Sequence, residues 1–395
     1  MSRKANKRVG SHPWRRGGGW RGRGGRTEAK EWRHEQNEEK QSRPNESVPR
    51  GTCMSMCPAR EVREREAQRR LHRFEILAGT EGDRLPRADL SRTVKEYSRP
   101  AAGKDSTRPA DLRPPPVLFK TVCFLINDIA ASPTLQPWTE AFIHFWFRVY
   151  DFVFDRLRCI RQDMIIQRVS GSECVAVLER TVRFLLYASY HLCEEPLRLY
   201  DPRINETHLQ ESLSWLLDCY SSGGEHRNQE EFQALSLLYN LGSARALQCA
   251  LDLPERVRAS PAVSLALAVN RAHLERNPVR VIRLARKLDF LQSCALHRHL
   301  VACRRDLLLL YSHGHSSRNC RFPLQHLVRL MALEEDPATK LCQAHGVAVN
   351  GEWVIFSKAS YAEPPPGELQ STRSPELVDM KRGKATVSQV INGCA

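Results

Sequence analysis

Arginine, glycine and tryptophan alternate near the N-terminus in a pattern typical of segments that bind single-stranded nucleic acid. Residues 15–26 have the sequence RRGGGWRGRGGR. Arginine contacts phosphate and stacks on bases, glycine lets the backbone approach the strand, and tryptophan offers a stacking plane. Two alternatives stay open: a solvated tail without a specific ligand, or a nuclear-import signal at residues 3–8. The candidate binding residues for RNA or DNA are Arg15, Arg16, Trp20, Arg21, Arg23 and Arg26.

A second set of cationic side chains recurs at helical spacing. Arg276, Arg280, Arg283 and Lys287 are three or four residues apart, so a helix over 278–288 would carry them as one strip. Val281, Leu284 and Leu288 would face the core on another side. Phosphate is a natural ligand for such a strip, because binding each phosphate releases condensed counterions. A solvated helix face and an acidic protein partner remain as alternatives.

The excess positive charge is confined to these two regions. The chain of 395 residues has a formal net charge of +15. Residues 1–27 hold nine Lys or Arg and no acid, and residues 255–321 hold thirteen against four acids. Clustered charge creates a field that scattered charge does not. An anionic partner is therefore expected, either nucleic acid or an acidic protein.

Metal and catalytic sites are not indicated by the remaining reactive residues. Cys53 and Cys57 have a spacing that could begin a metal site, but no second Cys or His pair follows, so packed structural thiols are expected. Within the charged segment 155–163, Asp155 is expected to pair with Arg158 on one helix face. No nucleophile, phosphate loop or metal cluster accompanies this segment. We expect no enzyme activity, cofactor, metal or small-molecule substrate.

Cysteine usage and hydropathy place the chain in a reducing compartment. The thirteen cysteines are odd in number and lie mostly in apolar helical stretches. No signal peptide is expected at the N-terminus, and the longest aliphatic run, Leu307 to Leu310, is far below the roughly 20 residues needed to span a bilayer. The cytoplasm or the nucleus is expected, without membrane association.

The elements that must position these residues are helical almost throughout. Phe142, Trp146, Val149, Val153, Leu157, Ile160 and Met164 predict one apolar stripe along a helix of about seven turns. Other helices are expected over 59–77, 116–131, 172–193, 206–221, 228–241, 244–252, 261–276, 278–288 and 290–312. Short breaks between helices of this size favour an all-α solenoid of stacked hairpins.

The pattern changes after residue 320. Helices over 322–333 and 337–345, followed by a strand at 351–357, indicate a small winged-helix module, with a solenoid end-cap as the alternative. Five regions are predicted: a disordered basic tail over 1–50, helical regions over 51–225 and 226–320, the winged helix over 321–362, and a disordered tail over 363–395.

Four sequence blocks, in this order, resemble the signature of the Sac/GANP family. They are GTCMSMCP at 51–58, VKEYSRPAAG at 94–103, LRP at 112–114 and DRLRCIRQD at 155–163. Asn277-Pro278-Val279-Arg280 also resembles the late part of a PCI domain. The resemblance covers residues 51–362 and implies TPR-like helices closed by a winged helix.

The resemblance also implies partners and a cellular role. Family members pair with a second PCI-domain protein and a small acidic subunit in nuclear messenger-RNA export, where paired winged helices bind nucleic acid. From its length we expect the chain to be without the centrin-recruiting helix, nucleoporin-like repeats and acetyltransferase region of larger members. In length and in its near-complete restriction to the family domain, it is similar to the short vertebrate members associated with centrosome duplication, the spindle and mitotic progression. A non-catalytic scaffold at the centrosome and spindle is therefore expected, with a nuclear RNA-binding export adaptor as the alternative.

Overall fold

The computed structural model describes residues 48–99, 108–131, 140–317, 319–365 and 371–394, with the side chains of 140–145 left out. The tail predicted to be disordered over 1–50 lies almost entirely outside these residues. The helices are α1 Ala59–Ala67, α2 Pro115–Phe124, α3 Glu140–Ile166, α4 Ser172–His191, α5 Pro202–Ser221, α6 Gln229–Tyr239, α7 Ala244–Leu251, α8 Glu255–Arg258, α9 Pro261–Leu274, α10 Pro278–Ala285, α11 Phe290–His297, α12 Leu300–Gly314, α13 Leu324–Met331, α14 Glu335–Ala344, α15 Met380–Arg382 and α16 Val387–Asn392.

The predicted apolar stripe of the long helix α3 is confirmed from Trp146 onward. Every member of the stripe from Trp146 to Met164 is buried, and Val153 and Met164 have no exposed area. Burying several large side chains along one face stabilises the helix far more than its intrinsic propensity does. Helices α2 and α4 both pack against this helix.

Helices that are consecutive or near one another along the chain pack together, as expected of an all-α solenoid. Helix α4 packs along α5, α6 along α9, α9 along α10, and α10 along α12. Two of the helical predictions fail by more than one turn. The helix predicted over 290–312 is broken between α11 and α12 at residues 298–299, and α1 ends at Ala67 instead of continuing to Leu77. After α1 the chain reverses at Arg69, which has φ of 54°, and this reversal lets Glu75 reach back to Arg65.

The module after residue 320 has the element order of a winged helix. A short strand β1 at Phe322–Pro323 precedes α13 and α14, and strands β2 at Ala348–Asn350 and β3 at Trp353–Ile355 follow. The strands form an antiparallel sheet in the order β1-β3-β2, with Val354 opposite both Phe322 and Val349. The sequence predicted β3 and the two helices, whereas β1 and β2 are too short to show an alternating pattern.

The prediction of a disordered tail over 363–395 is wrong for residues 371–394. A π-helical turn at Pro375–Asp379, α15 and α16 fold back onto the solenoid. Leu377, Val378, Val390 and Ile391 are buried, and α16 packs against α4. These four apolar residues, in two adjacent pairs within a polar segment, hold it against the solenoid, because each contributes roughly 1.5–3 kcal/mol when fully buried.

Candidate nucleic-acid and partner surface

The N-terminal candidates cannot be placed on the fold. Arg15, Arg16, Trp20, Arg21, Arg23 and Arg26 all lie outside the described residues. Their role in binding RNA or DNA stays a prediction that rests on the sequence of the tract.

The second set of candidates does not form one continuous helical strip. Helix α10 begins at Pro278, with the Asn277 side chain accepting a hydrogen bond from the Arg280 backbone N–H at 2.9 Å. Arg276 precedes this cap in a turn with φ of 53°. The prediction of a four-residue strip is therefore wrong at Arg276, because an Asn-Pro helix start separates it from α10. Lys287 also follows the last α-helical turn, although it stays exposed, as does Arg283.

Some of the exposed cations around α10 are paired with a carboxylate and others are not. Arg280 Nη1 lies 3.1 Å from Glu275 Oε2, and Arg271 Nε lies 2.8 Å from Glu275 Oε1. Hydrogen bonding from Arg271, together with both positive charges, lowers the pKa of Glu275. Arg283 and Lys287 have no carboxylate partner within the described part of the chain. Their charges are available to an anionic ligand.

Helix α10 lies against the winged helix, so its charges flank that module. It packs on α13, and Arg286 at its end contacts both α13 and the C-terminal segment. Arg286 Nε lies 2.6 Å from Glu376 Oε1, and Nη2 donates to the Arg329 carbonyl at 2.5 Å. The exposed side chains of Arg283, Lys287 and Arg329 therefore belong to neighbouring elements.

The second helix of the winged module is acidic at its start. Glu334, Glu335 and Asp336 precede or open α14, and Lys340 is its single basic residue. In helix-turn-helix proteins the N-terminal part of this helix meets base edges in the major groove. Acidic residues there would repel DNA, so α14 is poorly suited to that mode of binding. The wing offers Trp353, which is 40% exposed, as a stacking surface.

The four sequence blocks meet in one buried polar network beneath α3. Asp163 accepts from Arg113 Nε at 2.8 Å and from Lys95 Nζ at 2.7 Å. Arg113 also donates to the Met56 carbonyl at 3.2 Å, which ties the first block to the third and fourth. Gly51 lies so close to the Leu112 backbone that a Cβ would stand 2.5 Å from the Leu112 carbonyl oxygen.

A second buried group of charges joins α1 to α3. Glu75, which has no exposed area, pairs with Arg65 and with Arg156, whose Nη2 lies 3.2 Å from Glu75 Oε1. The predicted pair between Asp155 and Arg158 is wrong. Asp155 accepts instead from the Tyr97 backbone N–H at 3.0 Å and pairs with Arg156, while Arg158 stacks 4.0 Å above the Tyr97 ring.

The reactive side chains in this region are held in unreactive states. Burial raises the pKa of the Cys159 thiol to about 11 despite the nearby Arg113 guanidinium. Burial also raises the pKa of the Cys57 thiol well above its usual range. Only thiolates are effective nucleophiles or metal ligands, so neither cysteine is prepared for that chemistry. Among the described residues, no group of three or more His, Cys, Asp or Glu side chains could hold a metal ion.

Sequence reasoning missed how strongly these blocks are coupled. The pairs Arg113–Asp163 and Glu75–Arg156 join residues 50 and 81 positions apart, and helical periodicity carries no information at such separations. The clustering of charges within uninterrupted apolar helices was the available signal, because charges are rarely buried unless paired.

In the described part of the chain, no helix is long and apolar enough to span a membrane.

Comparison with known proteins identifies the family of the chain. A sequence model of the SAC3/GANP family matches residues 56–351. SAC3 family protein 1 of Schizosaccharomyces pombe and Protein xmas of Drosophila melanogaster are each 27% identical, over 87% of this chain. SAC3 family protein B of Arabidopsis thaliana is 27% identical over 86% of it. The matched regions span 35%, 16% and 20% of these relatives, respectively. The chain therefore belongs to the SAC3/GANP family.

Proposed function

We propose that this member of the SAC3/GANP family is a non-catalytic PCI-type scaffold that holds nucleic acid beside its winged helix. The observation that supports it is the pair of exposed cations, Arg283 and Lys287, without carboxylate partners in the described residues and next to α13. The partners implied by the resemblance are a second PCI-domain protein and a small acidic subunit. The buried ion pairs beneath α3 suit a rigid scaffold better than a reaction centre.

Charge reversal at these two cations tests the binding surface. The double variant Arg283→Glu/Lys287→Glu should bind single-stranded RNA more weakly, while the chain keeps its fold because both residues are exposed. A matched control is Arg203→Glu/Arg245→Glu, which makes a similar change of net charge at exposed sites on α5 and α7. Fluorescence anisotropy with a labelled oligonucleotide measures all three proteins in one buffer.

The outcomes separate nucleic acid from an acidic protein as the ligand. Weaker RNA binding in the α10 variant alone supports the proposal. Equally weakened binding in both variants would indicate a general effect of net charge and count against a localised surface. Unchanged RNA binding together with failure to co-purify an acidic subunit would assign the surface to that subunit instead.

The cellular setting of the scaffold follows from the resemblance. Similarity to the short vertebrate members points to centrosome duplication, spindle function and mitotic progression in the cytoplasm. The basic surface beside the winged helix favours a second candidate, an RNA-binding adaptor in nuclear messenger-RNA export. Localisation through one cell cycle and RNA crosslinking mapped to peptides distinguish them. Centrosomal and spindle signal supports the first role, nuclear signal supports the second, and crosslinks in α10 support the nucleic-acid surface in either setting.

A further inference from the structure

A cavity of about 870 Å³ lies between α12, the winged helix and the C-terminal segment 371–394. It is remote in sequence from the four blocks that form the network beneath α3. Most of its lining is apolar, and its volume falls within the range of pockets that hold small organic ligands. The apolar lining includes Leu341 and Ala344 of α14, Ala332 and Leu333 before it, and Pro375 of the C-terminal segment.

Arg304 is a buried cation in the wall of this cavity. Its side chain is only 3% exposed, and no carboxylate in the described residues lies within ion-pair distance of it. Nε donates to the Met331 carbonyl at 3.0 Å, and Nη2 donates to the Ala332 carbonyl and to Ser374 Oγ, each at 3.2 Å. These acceptors are neutral, so the group that directly offsets the positive charge is the C-terminal end of α13.

The remaining nitrogen of Arg304 is accessible, and Arg304 lines the cavity. Nη1 has no acceptor in the described part of the chain, and it is not among the polar atoms sealed away without a partner. Burial lowers the pKa of Arg304 to about 10, which leaves the guanidinium charged at neutral pH. A carboxylate in the cavity would satisfy this nitrogen and supply a negative charge in a poorly hydrated site.

The other charged residues that line the cavity are Glu194, Glu334, Lys340, Arg373 and Glu376, and Arg373 pairs with Asp379. Glu376 pairs with Arg286 at 2.6 Å, and Glu194 accepts from the Arg373 backbone N–H at 2.9 Å. Glu334 and Lys340 are exposed and of opposite sign. Arg304 is thus the charged side chain that is both deeply buried and in contact with the cavity.

We infer that this cavity is a binding site for a small carboxylate joined to an apolar group, with Arg304 as the anion partner. The apolar part of the ligand would pack against α14 and Pro375, and the carboxylate would accept from Arg304 Nη1. This site is independent of the proposed nucleic-acid surface, because it uses different residues and a ligand of different chemistry.

Three small probes measure separately what the carboxylate and the apolar chain each contribute to binding. Hexanoate carries both the carboxylate and the apolar chain, hexanamide lacks the charge, and acetate lacks the chain. Isothermal titration of the full chain should show hexanoate binding about tenfold more tightly than hexanamide, as for a hydrogen bond to a charged group. Acetate should bind about a hundredfold more weakly than hexanoate, because four buried methylene groups are absent.

Two variants test whether the binding occurs in this cavity. Arg304→Met should remove the preference for hexanoate over hexanamide. Because that change also removes the cap of α13, Ala344→Trp provides a second variant that fills the cavity and keeps Arg304. Gln343→Trp is its matched control, since Gln343 is exposed on the same helix and does not line the cavity.

The proposal predicts that Ala344→Trp abolishes hexanoate binding and that Gln343→Trp leaves it unchanged. Equal affinities of the wild-type chain for hexanoate and hexanamide would overturn it. Undetectable hexanoate binding at millimolar concentration, or full binding by Ala344→Trp, would overturn it as well. If Arg304→Met does not fold, the Ala344→Trp result decides alone.

Discussion

Arg113 and Asp163 form an ion pair in which both side chains are fully buried. Arg113 Nε lies 2.8 Å from Asp163 Oδ2, and neither side chain has any exposed area. The pair joins the loop before α2 to the far half of α3. Lys95 adds a second cation at 2.7 Å from the other carboxylate oxygen, so Asp163 links three segments of the chain.

Removing one member of this pair should destabilise the fold strongly. Asp163→Asn leaves the Arg113 guanidinium buried without a negative partner, and such changes cost about 3–5 kcal/mol. Urea denaturation followed by circular dichroism measures the decrease in stability. Arg271→Ala, at an exposed ion pair, serves as the control and should leave the denaturation midpoint almost unchanged. Similar midpoints for both variants would contradict the assigned role of Asp163.

The stripe of α3 gives a second prediction about stability. Val153→Ala and Leu157→Ala should each cost about 2–5 kcal/mol, because both side chains are buried in the centre of the helix. Ile165→Ala is the matched control on the same helix, since Ile165 is 59% exposed and its replacement should cost much less. A uniform small effect at all three positions would show that the buried face has been assigned wrongly.

Sequence periodicity predicted the solenoid well because the information is local. Trp146 to Met164 repeat every three or four residues, and that spacing alone determines which face of α3 is buried. Arg276 was placed wrongly for a related reason: the four-residue step to Arg280 fits a helix, but Asn277-Pro278 starts a new one. Local periodicity could not predict the Arg113–Asp163 pair, because residues 50 positions apart meet only through the tertiary fold.

The C-terminal segment supplies a third prediction, which separates a docked segment from a disordered one. Ile391 has no exposed area, so Ile391→Ala should cost about 2–5 kcal/mol. Met380→Ala is the control within the same segment, because Met380 is 74% exposed. Hydrogen exchange should also show protected amides in α16. Equal stability of both variants and the parent chain would mean that the segment is not docked in solution.

Buried histidines predict that stability falls at mildly acidic pH. Burial lowers the pKa of His297 to about 4, against an ordinary value near 6.5 in the unfolded chain. Between those values the unfolded state binds a proton that the folded state does not. Stability is therefore greatest above about pH 6.5 and declines as the pH falls towards about 4, by roughly 3 kcal/mol for this group.

Replacement of His297 checks that pH dependence. His297→Gln keeps a donor toward the Thr372 carbonyl, which His297 Nε2 contacts at 2.8 Å, but removes the titrating ring. The free energy of unfolding of this variant should fall less steeply between about pH 6.5 and 4 than that of the wild type. His326→Gln, at an exposed position, should retain the wild-type slope. Identical slopes for all three proteins would contradict a neutral buried His297.

The last prediction concerns the N-terminal tract and the salt dependence of binding. Residues 1–27 carry nine positive charges and no acid, so their deletion should weaken RNA binding and leave the melting temperature of the remaining chain unchanged. In the deleted chain, Arg283→Glu/Lys287→Glu should flatten the plot of log affinity against log salt concentration further. The slope should change by about 0.7 for each phosphate of a single strand that the protein no longer neutralises. A steep slope that survives both changes would show that other residues hold the phosphates, and the assignment of α10 to nucleic acid would then be withdrawn.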